Sequence, residues 1–105
     1  MRTLQFIVDG QNLIKDPNCD FENIVKGSHN YLRCWFSLSR DWSGCKVAVS
    51  FLKNEKEIDA VMLENYCCMV PNKVSELQSF YIKLVGVRKD GYKIVSKKCY
   101  IRQVG

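Results

Sequence analysis

One stretch of the chain decides the fold: Tyr31-Leu32-Arg33-Cys34-Trp35-Phe36-Ser37-Leu38-Ser39. Apolar residues occupy every second position, and side chains two residues apart lie on the same face of a β-strand. One face of this strand is therefore expected to enter the core, through Leu32, Cys34, Phe36 and Leu38. The opposite face places Tyr31 and Trp35 outward, where large aromatic side chains are unusual.

The same period of two recurs along most of the chain, with turn residues between the segments. This pattern predicts an all-β domain of about eight strands, arranged as an antiparallel β-sandwich or a small barrel. One short helical turn is expected near residues 71–77, because Pro71 suits a first helical position. The expected core comprises Leu32, Cys34, Phe36, Leu38, Val47, Val49, Phe51 and Val85.

Two segments outside this alternation have expected structural roles. Residues 16–30 are rich in turn formers and read as a long connection, of which Phe21, Ile24 and Val25 are expected to pack. Trp42 lies in the turn Asp41-Trp42-Ser43-Gly44 and is expected to cover one end of the sandwich as an apolar plug.

Length and composition indicate one ordered domain spanning residues 1–105. The 105 residues are 47% hydrophobic and 26% charged, which suits a folded domain with a single core. No apolar run approaches the roughly 20 residues that cross a bilayer, so no membrane span is expected. No secretory signal is expected either, because Asp9, Gln11 and Asn12 interrupt the first apolar segment.

Six cysteines invite a disulfide or metal interpretation, which their spacing disfavours. There is no CxxC pair, and the adjacent Cys67 and Cys68 would point to opposite faces of a strand. We expect reduced thiols, no metal, no cofactor and a reducing cytosolic compartment. The six are Cys19, Cys34, Cys45, Cys67, Cys68 and Cys99.

No catalytic constellation can be assembled from the sequence. The single histidine, His29, lies in a turn-rich segment beside Ser28 and Asn30. Glu55, Glu57 and Asp59 could act as paired carboxylates, but they lie at or beside an expected hairpin tip, where solvent exposure explains them. We therefore expect a protein that is not an enzyme.

Charge is distributed unevenly along the chain. Residues 1–72 contain 8 basic and 9 acidic residues, whereas residues 73–105 contain 8 basic and 2 acidic residues. Such a basic segment with interleaved tyrosines fits a solvated strand face, an acidic protein partner, or single-stranded nucleic acid. The candidate partner-binding residues are Arg88, Lys89, Lys93, Lys97, Lys98 and Arg102, with Tyr81, Tyr92 and Tyr100 between them.

The outward aromatic pair of the first stretch is a second candidate surface. Exposed Trp and Tyr often mark protein interfaces, so Tyr31 and Trp35 are candidate partner-binding residues. The alternative is that Phe21 or the long connection folds over them. The residues alone leave these two interpretations open.

Three strings of sequence carry a resemblance that extends over nearly the whole chain. They are Phe6 to Gln11, Lys26 to Cys34, and Phe36 to Cys45, the last overlapping an F-x-F-S-x-D-W-x-G-type motif from Trp35 to Gly44. Shorter matches follow at Val70-Pro71, Val85-Gly86-Val87 and Gly91-Tyr92. The chain resembles small Ig-like β-sandwich proteins of phages and prophages of Firmicutes. It is also similar to the N-terminal attachment domain of phage upper baseplate proteins, although those proteins continue into further regions.

The resemblance implies a binding function in a phage. The first expectation is a tail or baseplate component that binds a virion protein. The second is a small inhibitor of a bacterial defence system, similar to an anti-CRISPR, that binds an effector protein. Either would be found in the host cytoplasm during infection, and the first would also be incorporated in the virion. Nucleic acid ranks behind protein as a partner, and no membrane association is expected.

Overall fold

The computed structural model describes all residues 1–105 and contains nine strands in two packed sheets. The predicted all-β sandwich is therefore confirmed. The strands are β1 (Arg2–Asp9), β2 (Asn12–Lys15), β3 (Leu32–Leu38), β4 (Lys46–Lys53), β5 (Lys56–Met62), β6 (Cys67–Met69), β7 (Ser79–Val87), β8 (Lys93–Val95) and β9 (Cys99–Arg102). The predicted helical turn is confirmed as helix α1 (Asn72–Ser75), and a 3-10 turn spans Arg40–Trp42.

The two sheets differ in their pairing. The four-stranded sheet has the order β2-β1-β3-β6, and the five-stranded sheet has the order β5-β4-β7, with β8 and β9 both paired to β7. All pairs are antiparallel except β1 and β3, which run parallel from Arg2↔Leu32 to Val8↔Leu38. The expectation of antiparallel pairing throughout is wrong at this pair. A parallel pair requires a long return connection, and residues 16–31 supply it.

The core lies between the sheets and is filled by alternate residues of each strand. Phe6 stacks on Phe36 with ring centroids 5.0 Å apart, and Phe51 contacts Phe80 at 6.0 Å. Six of the eight expected core residues are buried, namely Leu32, Cys34, Phe36, Val47, Val49 and Phe51. Leu38 is half-buried against the core.

Val85 is the one expected core residue that faces away from the core. On β7 the buried side chains are Phe80, Ile82 and Leu84, so Val85 lies on the outer face of the sheet. The expectation for Val85 is wrong by one residue of register. A shift of one residue exchanges the two faces of a strand.

Trp42 covers the end of the sandwich, as expected. Its side chain is buried, and its indole Nε1 donates a hydrogen bond to the Gly10 carbonyl at 2.8 Å. Gly86 makes room for the ring, because a Cβ added there would lie 2.9 Å from Trp42 Cε3. Trp42 therefore joins the β1–β2 turn to the middle of the other sheet.

The long connection is held by a single arginine. The Arg2 guanidinium donates hydrogen bonds to the carbonyl oxygens of Asp20, Glu22 and Asn23. Phe21 packs edge-on against Phe6, with ring centroids 5.3 Å apart. Ile24 is buried, as expected, whereas Val25 is exposed.

One side of the sandwich is closed by hydrogen bonds between the sheets. Lys97 N donates to Gln11 O at 2.8 Å, and Gln11 Nε2 donates to Val95 O at 2.9 Å.

The chain has no helix with the length and apolar character needed to cross a membrane.

Candidate functional site

The two predicted surfaces lie on opposite sides of the molecule. Tyr31 and Trp35 are exposed on the outer side of the four-stranded sheet. The basic residues of the last strands belong to the five-stranded sheet and its loops. The structure therefore does not combine the aromatic and basic candidates into one site.

The exposed neighbour of Trp35 is Tyr66, an aromatic residue that the sequence analysis did not identify. Tyr66 lies with its ring centroid 6.4 Å from that of Trp35, in a turn where its φ is +65°. Arg33 separates Trp35 from Tyr31 and donates hydrogen bonds to Thr3 Oγ1. Phe21 packs on the inward-facing Phe6, so the idea that it covers the two aromatics is wrong.

Arg88 has a structural role in the turn between β7 and β8. Its guanidinium lies over the Tyr92 ring at 3.7 Å from the centroid and donates a hydrogen bond to Ser43 O at 3.1 Å. The Tyr92 hydroxyl in turn donates to Asp41 O at 2.7 Å. These contacts tie the β7–β8 turn to the segment around Trp42. Lys89 is exposed at the tip of the same turn.

The outer face of the five-stranded sheet carries an aliphatic row that the sequence analysis missed. Met62 pairs with Ala48, Ala48 pairs with Val85, and Val85 pairs with Val95. We call these four residues the aliphatic row. It crosses four adjacent strands and is therefore about 14 Å wide. Met62 is exposed in this row, whereas Ala48, Val85 and Val95 are half-buried on the same outer face.

Basic residues border the aliphatic row on both sides. On one side Lys46 pairs with Val87, and Val87 pairs with Lys93, all three of them exposed. On the other side Lys83 pairs with Ser50. Of the predicted basic residues, Lys93 therefore lies beside the row.

Beyond Lys83, the same face ends in an aromatic and basic cluster. Tyr81 pairs with Tyr100, their ring centroids are 5.2 Å apart, and they are 38% and 44% exposed. Lys98 Nζ lies 5.4 Å from the centroid of the Tyr81 ring. Arg102, which pairs with Ser79, is exposed next along β9.

A hollow of about 560 Å³ opens beside this cluster. Three lysines and one acidic residue contribute to its walls. Its lining residues are Leu52, Glu55, Tyr81, Lys83, Ser96, Lys97 and Lys98. The predicted residues Lys97 and Lys98 thus meet Lys83 at one place.

A second groove, of about 530 Å³, lies at the Trp42 end of the sandwich. Its walls include the apolar residues Leu38, Val47 and Leu63, with Lys46 and Glu64 among its polar residues. Lys46 and Met62 contribute both to this groove and to the outer face of the five-stranded sheet.

The titratable groups outside this face are dispersed. No three side chains of His, Cys, Asp or Glu come together in a set that could hold a metal ion. His29 Nε2 lies 2.5 Å from Glu76 Oε1 in an exposed pair. Of the three acidic residues considered as paired carboxylates, Glu57 accepts a hydrogen bond from Ser50 Oγ, Glu55 lies 3.8 Å from Lys98 Nζ, and Asp59 lies 3.8 Å from Lys73 Nζ.

The six cysteines are free thiols in the structure. Cys34 and Cys68 face each other across β3 and β6 and are both buried. The hydrogen bond with Cys68, together with burial, holds the pKa of the Cys34 thiol well above its ordinary value. Burial also raises the pKa of Cys99.

Comparisons with protein-family models, with curated proteins and with solved structures found no match for this chain.

Proposed function

We propose that the chain is a non-enzymatic protein-binding module that docks an acidic protein on the outer face of its five-stranded sheet. The observation that carries this proposal is the aliphatic row, bordered by Lys46 and Lys93 on one side and by Lys83 on the other. Burial of the part of an aliphatic surface that is still open to solvent stabilises a complex, and bordering charges select and orient the partner.

The charge of the face argues for a partner other than a second copy. Two copies meeting through this face would bring their lysine borders together, which like-charge repulsion opposes. An acidic surface with its own apolar strip would instead be attracted and would bury the row. The net charge of +5 of the whole chain adds to the attraction of an acidic partner.

Single-stranded nucleic acid is the second candidate, favoured by Tyr81 and Tyr100 beside Lys98. Bases stack on exposed rings while lysines neutralise phosphates. The aliphatic row offers neither stacking nor charge, so a nucleic acid would leave it uncovered. A protein partner uses both parts of the face, and we therefore favour protein.

The biological setting of the proposal rests on the sequence resemblance. The resemblance supports a module of a phage tail or baseplate, attached to a virion protein in the infected host and in the particle. The alternative setting is a free phage protein that binds a bacterial defence effector. Both settings require the same kind of docking face.

Affinity capture from phage-infected cells tests the proposal when it compares two matched variants. Met62 and Ile14 are similarly exposed, at 53% and 50%, but lie on the outer faces of different sheets. Met62→Asp places a carboxylate in the aliphatic row and should abolish capture of an acidic partner, whereas Ile14→Asp should retain it.

The identity of the captured protein then selects the setting. A tail or baseplate protein supports virion attachment, and a defence effector supports the inhibitor. Capture that survives Met62→Asp but is lost with Ile14→Asp would contradict the proposed face. Recovery of nucleic acid alone would contradict protein binding and support binding of single-stranded nucleic acid.

A further inference from the structure

The hollow beside Tyr81 concentrates positive charge at one end of the proposed docking face. Lys83, Lys97 and Lys98 line it, and Glu55 is its only acidic lining residue. Tyr81 forms part of the wall, and Lys98 Nζ lies over its ring at 5.4 Å from the centroid. The chemistry of this lining suits an anionic group.

Glu55 lies at the edge of the hollow and has an unfavourable backbone conformation. It occupies the second position of the two-residue turn between β4 and β5, where Asn54 and Glu55 have φ values of +51° and +64°. Such a turn prefers Gly at the second position, because a side chain there is strained. Strained residues of this kind concentrate at functional sites.

The contact made by Glu55 is weak. Its Oε1 lies 3.8 Å from Lys98 Nζ, too far for a hydrogen bond, and its side chain is 87% exposed. An exposed ion pair of this kind contributes little to folding. The pair nevertheless shows that a protein carboxylate can approach these lysines.

We propose that this hollow is a carboxylate-binding subsite of the docking face, where Glu55 at its rim competes for Lys98 with an acidic side chain of the partner. The inference rests on the proposed function, since it names a contact of the same partner. Lys83 lies between the subsite and the aliphatic row, so one bound protein surface can cover both.

A carboxylate is favoured over a phosphate by two observations. The group already paired there is a carboxylate, and the adjoining row is aliphatic, which suits a polypeptide. The same face carries Glu57, which accepts a hydrogen bond from Ser50 Oγ at 2.6 Å. A nucleic-acid chain carries a charge on every nucleotide and would meet Glu57 as well.

The test is a titration of the intact protein with a capped hexaglutamate peptide at low ionic strength, in which binding is measured from the NMR chemical shifts of the backbone amides. Glu55→Gln removes the competing carboxylate and should tighten binding about two- to five-fold, the size expected for one exposed ion pair. Lys83→Gln and Lys97→Gln should each weaken binding by a similar factor. Lys89→Gln removes the same charge at the opposite end of the face and should change affinity less.

Each outcome bears on the subsite. Shifts centred on Tyr81, Lys83 and Ser96, with the expected order of variants, support it. Unchanged or weaker binding by Glu55→Gln would overturn it, as would equal effects of Lys89→Gln and Lys97→Gln. Binding of hexathymidylate but not hexaglutamate would overturn it in favour of nucleic acid.

Glu55→Gly separates this role from a structural one. Glycine relieves the turn strain, so the variant should fold at least as stably and still bind hexaglutamate more tightly. Capture of the partner with Met62→Asp as the negative variant tests the docking face independently. If that test succeeds while hexaglutamate fails to bind, the face stands and the carboxylate subsite is wrong.

Discussion

At the residue scale, Gly86 and Trp42 show how one missing side chain completes the sandwich. The indole ring occupies the space where a Cβ at position 86 would lie. Gly86 has no left-handed φ, so its role here is close packing rather than backbone freedom. The end of the domain depends on this contact, because Trp42 also binds the Gly10 carbonyl.

Gly86→Ala should therefore destabilise the protein by about 1–3 kcal/mol, the usual cost of overpacking a well-filled core. The measurement is urea unfolding followed by Trp fluorescence. Ser37→Ala, on an exposed position of β3, should change the free energy of unfolding by less than about 0.5 kcal/mol and serves as the control. Equal stability of Gly86→Ala and wild type would contradict the packing described.

Cys34 makes a second prediction at this scale, concerning alkaline pH. Its pKa is raised in the folded state by the hydrogen bond with Cys68 and by burial, so folding favours the protonated thiol. The stabilisation is complete below the ordinary pKa of 9.0 and is lost as pH rises through the folded-state value.

Above about pH 9 the free energy of unfolding should thus fall more steeply with pH for wild type than for Cys34→Ala. The difference between the two proteins isolates the contribution of Cys34 to the pH dependence of stability. Because Cys99 is retained in both proteins, its own raised pKa cancels in this comparison. Parallel pH dependences would show that the thiol is not perturbed.

At the element scale, β3 and β7 show what the alternation of apolar and polar residues along a strand can and cannot predict. In β3 one face is apolar and the other contains Arg33 and Ser37, so the inward set is unambiguous. In β7 the sequence Phe80 to Val87 has apolar residues on both faces. Alternation alone therefore places Val85 in the core, although it lies on the outer face. Only pairing with β4 and β8 decides the register.

The parallel pairing of β1 and β3 could not be predicted from the sequence, for a related reason. Alternation predicts which side chains share a face but not the direction of a neighbouring strand. The direction follows from the course of residues 16–31 and from the Arg2 contacts with Asp20, Glu22 and Asn23. Hydrogen bonds between residues so far apart in sequence cannot be derived from local patterns.

At the scale of the whole molecule, the sequence analysis selected some basic residues of the proposed docking face but neither its aliphatic row nor its geometry. The charge count identified Lys93, Lys97, Lys98 and Arg102, which the five-stranded sheet carries on or beside its outer face. It also selected Arg88, which the structure engages with Tyr92 and Ser43. The aliphatic row joins residues from four strands, so only the assembled sheet reveals it.

The positions of the two candidate surfaces in the whole molecule favour one of them under the proposed function. Tyr31 and Trp35 lie on the outer side of the four-stranded sheet, away from the basic end of the chain. The acidic partner that we propose would be steered towards the sheet that carries the lysines. The aromatic pair is therefore expected to remain exposed when the partner is bound.

The central claim is that the outer face of the five-stranded sheet docks the partner, and amide hydrogen exchange with and without the captured protein tests it most directly. Edge and surface amides exchange more slowly when an interface covers them. The account predicts added protection in β7, β8 and the residues around Met62, with no change in β3. Protection confined to Tyr31–Leu38 and Tyr66, with β7 and β8 unaffected, would contradict it.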